Sequence, residues 1–326
     1  MKYELIASLG PSSEDEMIWQ RMITAGVTGF RLNTSHLSIS QVEHWIAKLL
    51  AYQISASSPF PLVLDLQGSK WRLGAFSPSE LYEGQEINLV FADQTNSQEE
   101  LPVPHLDFFL SAGNATGDIY LNDARLHLQI VRKGEQWIQT RVMRGGIISP
   151  GKGITCQSDQ RREALTTKDQ ELVEMTSGLD FVRYAISYVR DALEMARYRE
   201  VIGKENYLIA KVERQPAIDE ISEIAVLCDE VWLCRGDLGA ELGDKAMAEA
   251  VHRVSRMVKD LSVPVILAGQ VLEHMSKEPT PTRSEICYLY EALDMGYQGF
   301  VLSDETSVGL YPVESCQSAA LFQTSL

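Results

Sequence analysis

The chain has 326 residues, 45% apolar and 23% charged, which is the balance of an ordinary folded protein and excludes a disordered, collagenous or disulfide-scaffold chain. Twenty-nine Lys and Arg against 45 Asp and Glu give a formal charge of −16. That field repels phosphate polymers and anionic lipid headgroups, so no nucleic acid and no membrane surface is expected as a partner.

Strand-length apolar runs alternate with stretches of helical period along the chain. Tyr3 to Ala7 reads as the first strand, and Glu14 to Ala25, behind a cap at Ser12 or Ser13, as the first helix. Strand Gly29 to Asn33, helix Ser40 to Tyr52 and strand Pro61 to Asp65 follow. Ala75 to Arg162 has a different texture, with Gly and Pro punctuation, a period-two stretch at Glu86 to Phe91 and the segment Ile119 to Asp123. It reads as a small β domain inserted after the third strand. The alternation then resumes: helix Thr167 to Ser177, strand Phe181 to Ala185, helix Asp191 to Ile202, strand Tyr207 to Val212, helix Pro216 to Leu227 and strand Glu230 to Cys234. Helix Ala246 to Asp260, strand Pro264 to Leu267, helix Arg283 to Met295, strand Gly299 to Leu302 and a helix from Pro312 complete the pattern. Eight such units predict an α/β fold, a (β/α)8 TIM barrel of residues 1–74 and 163–326 with an inserted β domain at 75–162. An open doubly wound sheet is the alternative. The five cysteines lack a CxxC pair and read as buried thiols of a reducing compartment. No apolar run approaches ~18 residues and the start is not leader-like, so a cytoplasmic protein is expected.

Barrel chemistry sits at the carboxyl ends of the strands. The polar residues there are Arg31, Asn33 and Ser35; Asp65, Lys70 and Arg72; Ser187 and Arg190; Lys211 and Glu213; Arg235, Gly236 and Asp237; Gly269 and Gln270; and Ser303 to Thr306. Lys211-x-Glu213 on a strand end points both side chains to one face. Glu213 and Asp237, at the ends of adjacent strands, read on spacing alone as solvated rim acids or as ligands of a hard cation such as Mg2+ or Mn2+, and Lys211 beside them shifts the reading toward the cation. A cation beside a metal suggests an anionic substrate.

These residues carry a family resemblance. Arg31 to His36 (RLNTSH) resembles the RLNFSH segment of pyruvate kinases, and Leu64 to Gly74 resembles LDTKGPEIRTG. Ile209 to Glu213 (IAKVE), Cys234 to Gly239 (CRGDLG) and Glu278 to Glu285 (EPTPTRSE) resemble IAKIE, ARGDLG and NPRPTRAE, and the likeness continues through Leu302 to Thr306 and Tyr311 to Glu314. The resemblance implies that Lys211 neutralises the transferred phosphoryl group, that Arg31 contacts phosphate and that Glu213 and Asp237 hold the divalent ion. It also implies Asn33, Ser35 and Asp65 as monovalent-cation ligands, Arg72 and Lys168 as contacts to the phosphates, and His36 as a residue holding the loop or the nucleotide. Ser187, Arg190, Gly236, Asp237 and Gly269 form the candidate substrate rim.

The sequence also departs from the family. Lys70 stands where many members have glutamate and Leu66 replaces a threonine, so the chain resembles the family's potassium-independent branch, which implies an ammonium standing in for K+. Gly269 takes the place of the threonine associated with enolate protonation, Val308 and Leu310 replace lysines, and Asn122 replaces an aspartate. The family's carboxyl-terminal domain is absent from the sequence, so a monomer or homodimer is expected. The function implied is phosphotransfer between phosphoenolpyruvate and ADP, giving pyruvate and ATP, independent of K+. The alternatives are a metal-dependent phosphoenolpyruvate or pyruvate enolate enzyme that does not use ADP, and a catalytically impaired homologue.

Overall fold

The computed structural model describes residues 1–56, 59–112, 117–122, 124–156 and 165–324. Asp123 and the expected domain boundary at 162/163 lie outside the described residues. The chain forms two compact units, one of Met1–Gly68, Leu165–Gly236 and Lys245–Leu326, the other of Ser69–Ala164 and Asp237–Asp244.

The first unit is a closed barrel of eight parallel strands. They are β1 (Glu4–Ser8), β2 (Gly29–Asn33), β3 (Leu62–Leu66), β4 (Val182–Ile186), β5 (Tyr207–Val212), β6 (Glu230–Cys234), β7 (Val265–Ala268) and β8 (Gly299–Leu302). Closure pairs β1 with both neighbours, Ile6 opposite Gly29 on β2 and opposite Val301 on β8, so no edge is left. Strands such as LVLDL and EVWLC are buried at every position, as expected where helices cover one face and the barrel interior the other. Ile6, Val63, Ala185, Ile209, Trp232, Ile266 and Val301 fill the barrel as one buried layer. Side chains alternate along a strand, so a step of two from this layer toward the carboxyl ends reaches Ser8, Asp65, Ser187 and Lys211. The opposite step reaches Glu4, Arg183, Tyr207 and Glu230. Both ends of the barrel are therefore closed by polar side chains.

Four of the expected strands and the helix Arg283–Met295 have the bounds read from sequence. The first helix spans Glu16–Thr24 and is capped by Asp15, whose carboxylate accepts from the Met17 amide, because Pro11–Ser13 forms a separate 3-10 turn. The expected helix over 216–227 is two pieces, Gln215–Asp219 and Ile221–Ala225, divided where Glu220 leaves helical geometry at φ −109° and ψ 22°. Helix Arg235–Leu242 is not visible in the sequence pattern, since its two glycines weaken both periodicity and propensity. Four cysteines are buried, whereas Cys287 is exposed, contrary to expectation: its side of the helix Arg283–Met295 faces solvent.

The second unit contains a six-stranded sheet in the order Ile154–Cys156, Asp118–Leu121, Leu126–Lys133, Trp137–Arg144, Glu86–Val90 and Glu100–Pro102. Ser79–Leu81 pairs with Gly146–Ile148 in a separate ribbon. Its own core includes Trp71, Leu89, Phe108, Phe109, Leu128 and Ile138. Trp71 meets Phe108 edge-on at 5.3 Å and its indole donates to Asp107 at 2.9 Å. Among the described residues no helix is long and apolar enough to cross a membrane.

Candidate active site

Asp65, near the end of β3, is the hub of a buried cluster in the barrel unit. Its Oδ2 accepts from Arg31 Nε at 2.7 Å and Nη2 at 2.5 Å, and its Oδ1 accepts from Lys211 Nζ and Ser187 Oγ, each at 3.0 Å. Arg31 Nη1 donates to Ser8 Oγ at 2.6 Å. Lys211 Nζ also donates to Ser187 Oγ at 3.0 Å and lies 2.9 Å from Glu213 Oε1. Glu213 Oε2 accepts from the Tyr188 amide at 2.8 Å. Tyr188 has φ 63°, a left-handed backbone uncommon for a residue with a bulky side chain and typical of functional sites.

Burial opposes the charges of Asp65, Lys211 and Arg31, and the opposite charges win. Burial would raise the Asp65 pKa, but Lys211 and Arg31 hold it down to about 2. Burial would lower the Lys211 pKa, but Asp65 and then Glu213 raise it above the ordinary lysine range. Arg31 is likewise raised, against burial, by Asp65. Two cations and two carboxylates cancel, so the cluster by itself has no surplus charge to hold a multiply charged anion. A divalent cation at a carboxylate would supply it. The donors fit such an ion: Glu213 offers hard carboxylate oxygens. Among the described residues no group of three or more His, Cys, Asp or Glu side chains could hold the ion. The remaining shell falls to water and ligand oxygens, the usual state of Mg2+.

A second group of predicted residues gathers on the 3-10 turn Thr34–His36 that follows β2. Asn33 caps the turn through Ser35 N at 3.2 Å, and Thr34 Oγ1 donates to the Asp65 carbonyl at 2.8 Å. Lys168 Nζ donates to the carbonyls of Thr34 and Leu37, so the turn takes up two of its three N–H donors. Ser35 Oγ is buried and has no hydrogen-bond partner among the described residues. His36 ends the turn, exposed. The loop after β3 is held by Asp169, whose two oxygens accept from the amides of Gln67 at 3.0 Å and Gly68 at 3.1 Å.

The other candidates are placed separately. Arg190 Nε lies 3.4 Å from Asp191 Oδ2, and Gly236 is the second residue of helix Arg235–Leu242. Gly269 has φ 80°, and a Cβ there would lie 2.9 Å from Gly236 N. Its carbonyl accepts from Arg235 Nε at 3.1 Å and Nη2 at 2.9 Å. A threonine does not fit this backbone without a shift, so the departure at this position is one of conformation as well as of a missing hydroxyl. In the second unit Arg72 Nη1 donates to the Gly151 carbonyl at 2.8 Å, while its buried Nε has no partner among the described residues. Asp237 Oδ1 there accepts from Lys70 Nζ.

Sequence reading misses Ser8, Thr34 and Asp169, which hold the cluster and its loops without standing out as reactive groups. Two of them leave a signal. Thr166-x-x-Asp169 is a capping box, and Ser8 lies two residues after the inward-facing Ile6.

Residues 1–316 match the family described as "Pyruvate kinase, barrel domain". Proteins named pyruvate kinase from Agrobacterium vitis and Methylorubrum extorquens are each 31% identical to the chain over 320 and 317 residues, which is 96% of this chain and 66% of each relative. Another from Thermotoga maritima is 29% identical over 318 residues, 96% of this chain and 68% of the relative. The chain thus spans just under two thirds of the first two relatives. With the barrel, the strand-end cluster and these matches in agreement, the chain belongs to the pyruvate kinase family.

Proposed function

We propose that the chain transfers a phosphoryl group between phosphoenolpyruvate and a nucleoside diphosphate. The observation that carries this reading is the buried Lys211 ammonium, fixed by Asp65, Ser187 and Glu213 at the end of β5. Phosphoryl transfer asks for positioning and for positive charge preorganised against developing anions, and a lysine held on three sides costs no reorganisation at the moment of reaction.

In this reading the phosphorus–enol oxygen bond breaks, the phosphoryl group passes to a terminal oxygen of the diphosphate, and the enolate left behind takes a proton at carbon to give pyruvate. Lys211 neutralises the moving phosphoryl group and Arg31 orients it. Glu213 and Asp237 would hold Mg2+ or Mn2+, which when bound supplies Lewis-acid polarisation of substrate oxygens. Arg72 serves the nucleotide phosphates, Lys168 holds the turn after β2 through the Thr34 and Leu37 carbonyls, and Ser187, Arg190 and Gly236 line the acid. Asn33, Ser35 and Asp65 form the monovalent-cation position, served by the fixed charge of Lys70 in place of K+. With Gly269 in place of a hydroxyl, water delivers the proton to the enolate.

Val308 and Leu310, exposed apolar side chains at positions where the family has lysines, favour one second reading, an enolate reaction of phosphoenolpyruvate or pyruvate that does not use a diphosphate acceptor. One assay separates the two. Protein, phosphoenolpyruvate and Mg2+ are incubated with and without ADP, in K+ or in tetramethylammonium, and pyruvate, ATP and phosphate are followed separately. ATP formed in step with pyruvate, equally in both salts, is the expected result. Turnover of phosphoenolpyruvate that ignores ADP sinks the kinase reading in favour of the second.

A further inference from the structure

We infer that Lys70 is a built-in counter-ion of Asp237 that competes with a divalent cation for this carboxylate and so sets the affinity of the chain for the ion. The inference rests on the proposed role of Asp237 as a metal ligand.

Lys70 and Asp237 are 167 residues apart in sequence and both belong to the second unit. Lys70 Nζ donates to Asp237 Oδ1, with side chains only 6% and 15% exposed. Salt screens such a shielded pair far less than a surface one. A lysine reaching across a surface is a flexible partner, but this one is confined. A Cβ at Gly153 would lie 2.6 Å from Lys70 Cε and 3.1 Å from Nζ. Gly153 is not among the glycines with a positive φ. What the glycine provides is therefore room for the end of the lysine beside the carboxylate.

A divalent ion binds a carboxylate oxygen at ~2.0–2.1 Å, inside the space that the ammonium occupies on Oδ1. The ion must displace the ammonium or approach Oδ2 against its charge, and either course weakens binding. A neutral or acidic residue at position 70 would leave Asp237 to the ion. The departure at Lys70 thus acts on the divalent site directly, in addition to any monovalent charge it supplies.

The test measures Mn2+ binding to the intact chain without substrate, from the electron paramagnetic resonance signal of the free ion. Lys70→Met is expected to tighten Kd at least ~10-fold, since a full unit of opposing charge is lost. Gly153→Ala keeps every charge but pushes the flexible end of Lys70 aside, and is expected to tighten Kd several-fold. This second variant keeps the test open if Lys70→Met does not fold, as judged by circular dichroism. Asp237→Asn is expected to lose the binding. If the Lys70 and Gly153 variants bind Mn2+ as the parent does, or more weakly, while Asp237→Asn loses it, the competition is disproved and the role of Asp237 stands. If Asp237→Asn binds Mn2+ like the parent, the metal-ligand reading fails and the inference falls with it.

Discussion

The two ends of the barrel carry the same kinds of side chain to opposite effect. At the carboxyl ends, Arg31 and Lys211 face Asp65 and Glu213, and each carboxylate has a cation within 3.0 Å. At the amino ends, Glu4 and Glu230 share Arg183, at 3.0 Å and 3.7 Å, and the guanidinium also lies 4.3 Å from the ring centre of Tyr207. Glu230 accepts from Trp232 Nε1 and from Tyr207 Oη, and it is as buried as Asp65. Yet burial and then Glu4 push its pKa up to about 7, whereas Asp65 is held to about 2. Burial sets the cost of a charge, but the number of cations per carboxylate decides whether the charge survives. Asp65 keeps its charge at one end of the barrel, whereas Glu230 at the other is shifted toward its neutral form.

The contrast breaks most severely at Lys211. Lys211→Met leaves Asp65 with one cation and Glu213 without its lysine, so unfolding free energy should fall by about 3–5 kcal/mol in urea titrations. In the proposed reaction kcat should drop by ~10² or more, as for loss of a preorganised donor. A variant as stable as the parent would show that the charged end does not depend on matched pairing.

A smaller loss is expected from Gly269→Thr, which tests how rigidly the loops at the charged end are set. With φ at 80° and Gly236 N 2.9 Å from the new Cβ, the change should cost about 2 kcal/mol. It should also leave pyruvate formation no faster, because the hydroxyl arrives on a displaced backbone. Faster formation at unchanged stability would mean that the loop adapts freely.

The smallest effect, and the one that sharpens the contrast, belongs to Glu230→Gln. The folded pKa of Glu230, about 7, is above its ordinary value of 4.5, so the folded chain binds the extra proton between these values and stability falls as pH rises through that window. Asp65 acts in reverse. Its folded pKa of about 2 is below the ordinary 3.8, so its contribution is present above about pH 4 and is lost as pH falls toward 2. Glu230→Gln should therefore gain roughly 1–2 kcal/mol over the parent at pH 8 and little at pH 4. Urea titrations across pH check this, and a parent and variant that coincide at pH 8 would place Glu230 among ordinary ionised carboxylates.

Much of the barrel was legible because its causes are local. Strand-length runs buried on both faces, turn signals and caps are set by neighbours a few residues away, and so the strand order and the position of Lys211-x-Glu213 could be read directly. Helix Arg235–Leu242 could not, because its glycines erase the local signal, and the cap of the first helix moved to Asp15 once Pro11 committed the preceding residues to a turn.

The sequence alone therefore determined the fold class, the family and which strand ends carry charge. Only the tertiary structure decided who pairs with whom. Lys211 finds Asp65 across 146 residues and Lys70 finds Asp237 across 167, while Lys168, expected at phosphate, is bound to the turn after β2. Such pairings follow from where the folded backbone brings strand ends and loops together and from the cost of leaving a buried charge alone, and neither is a property of any short stretch of chain.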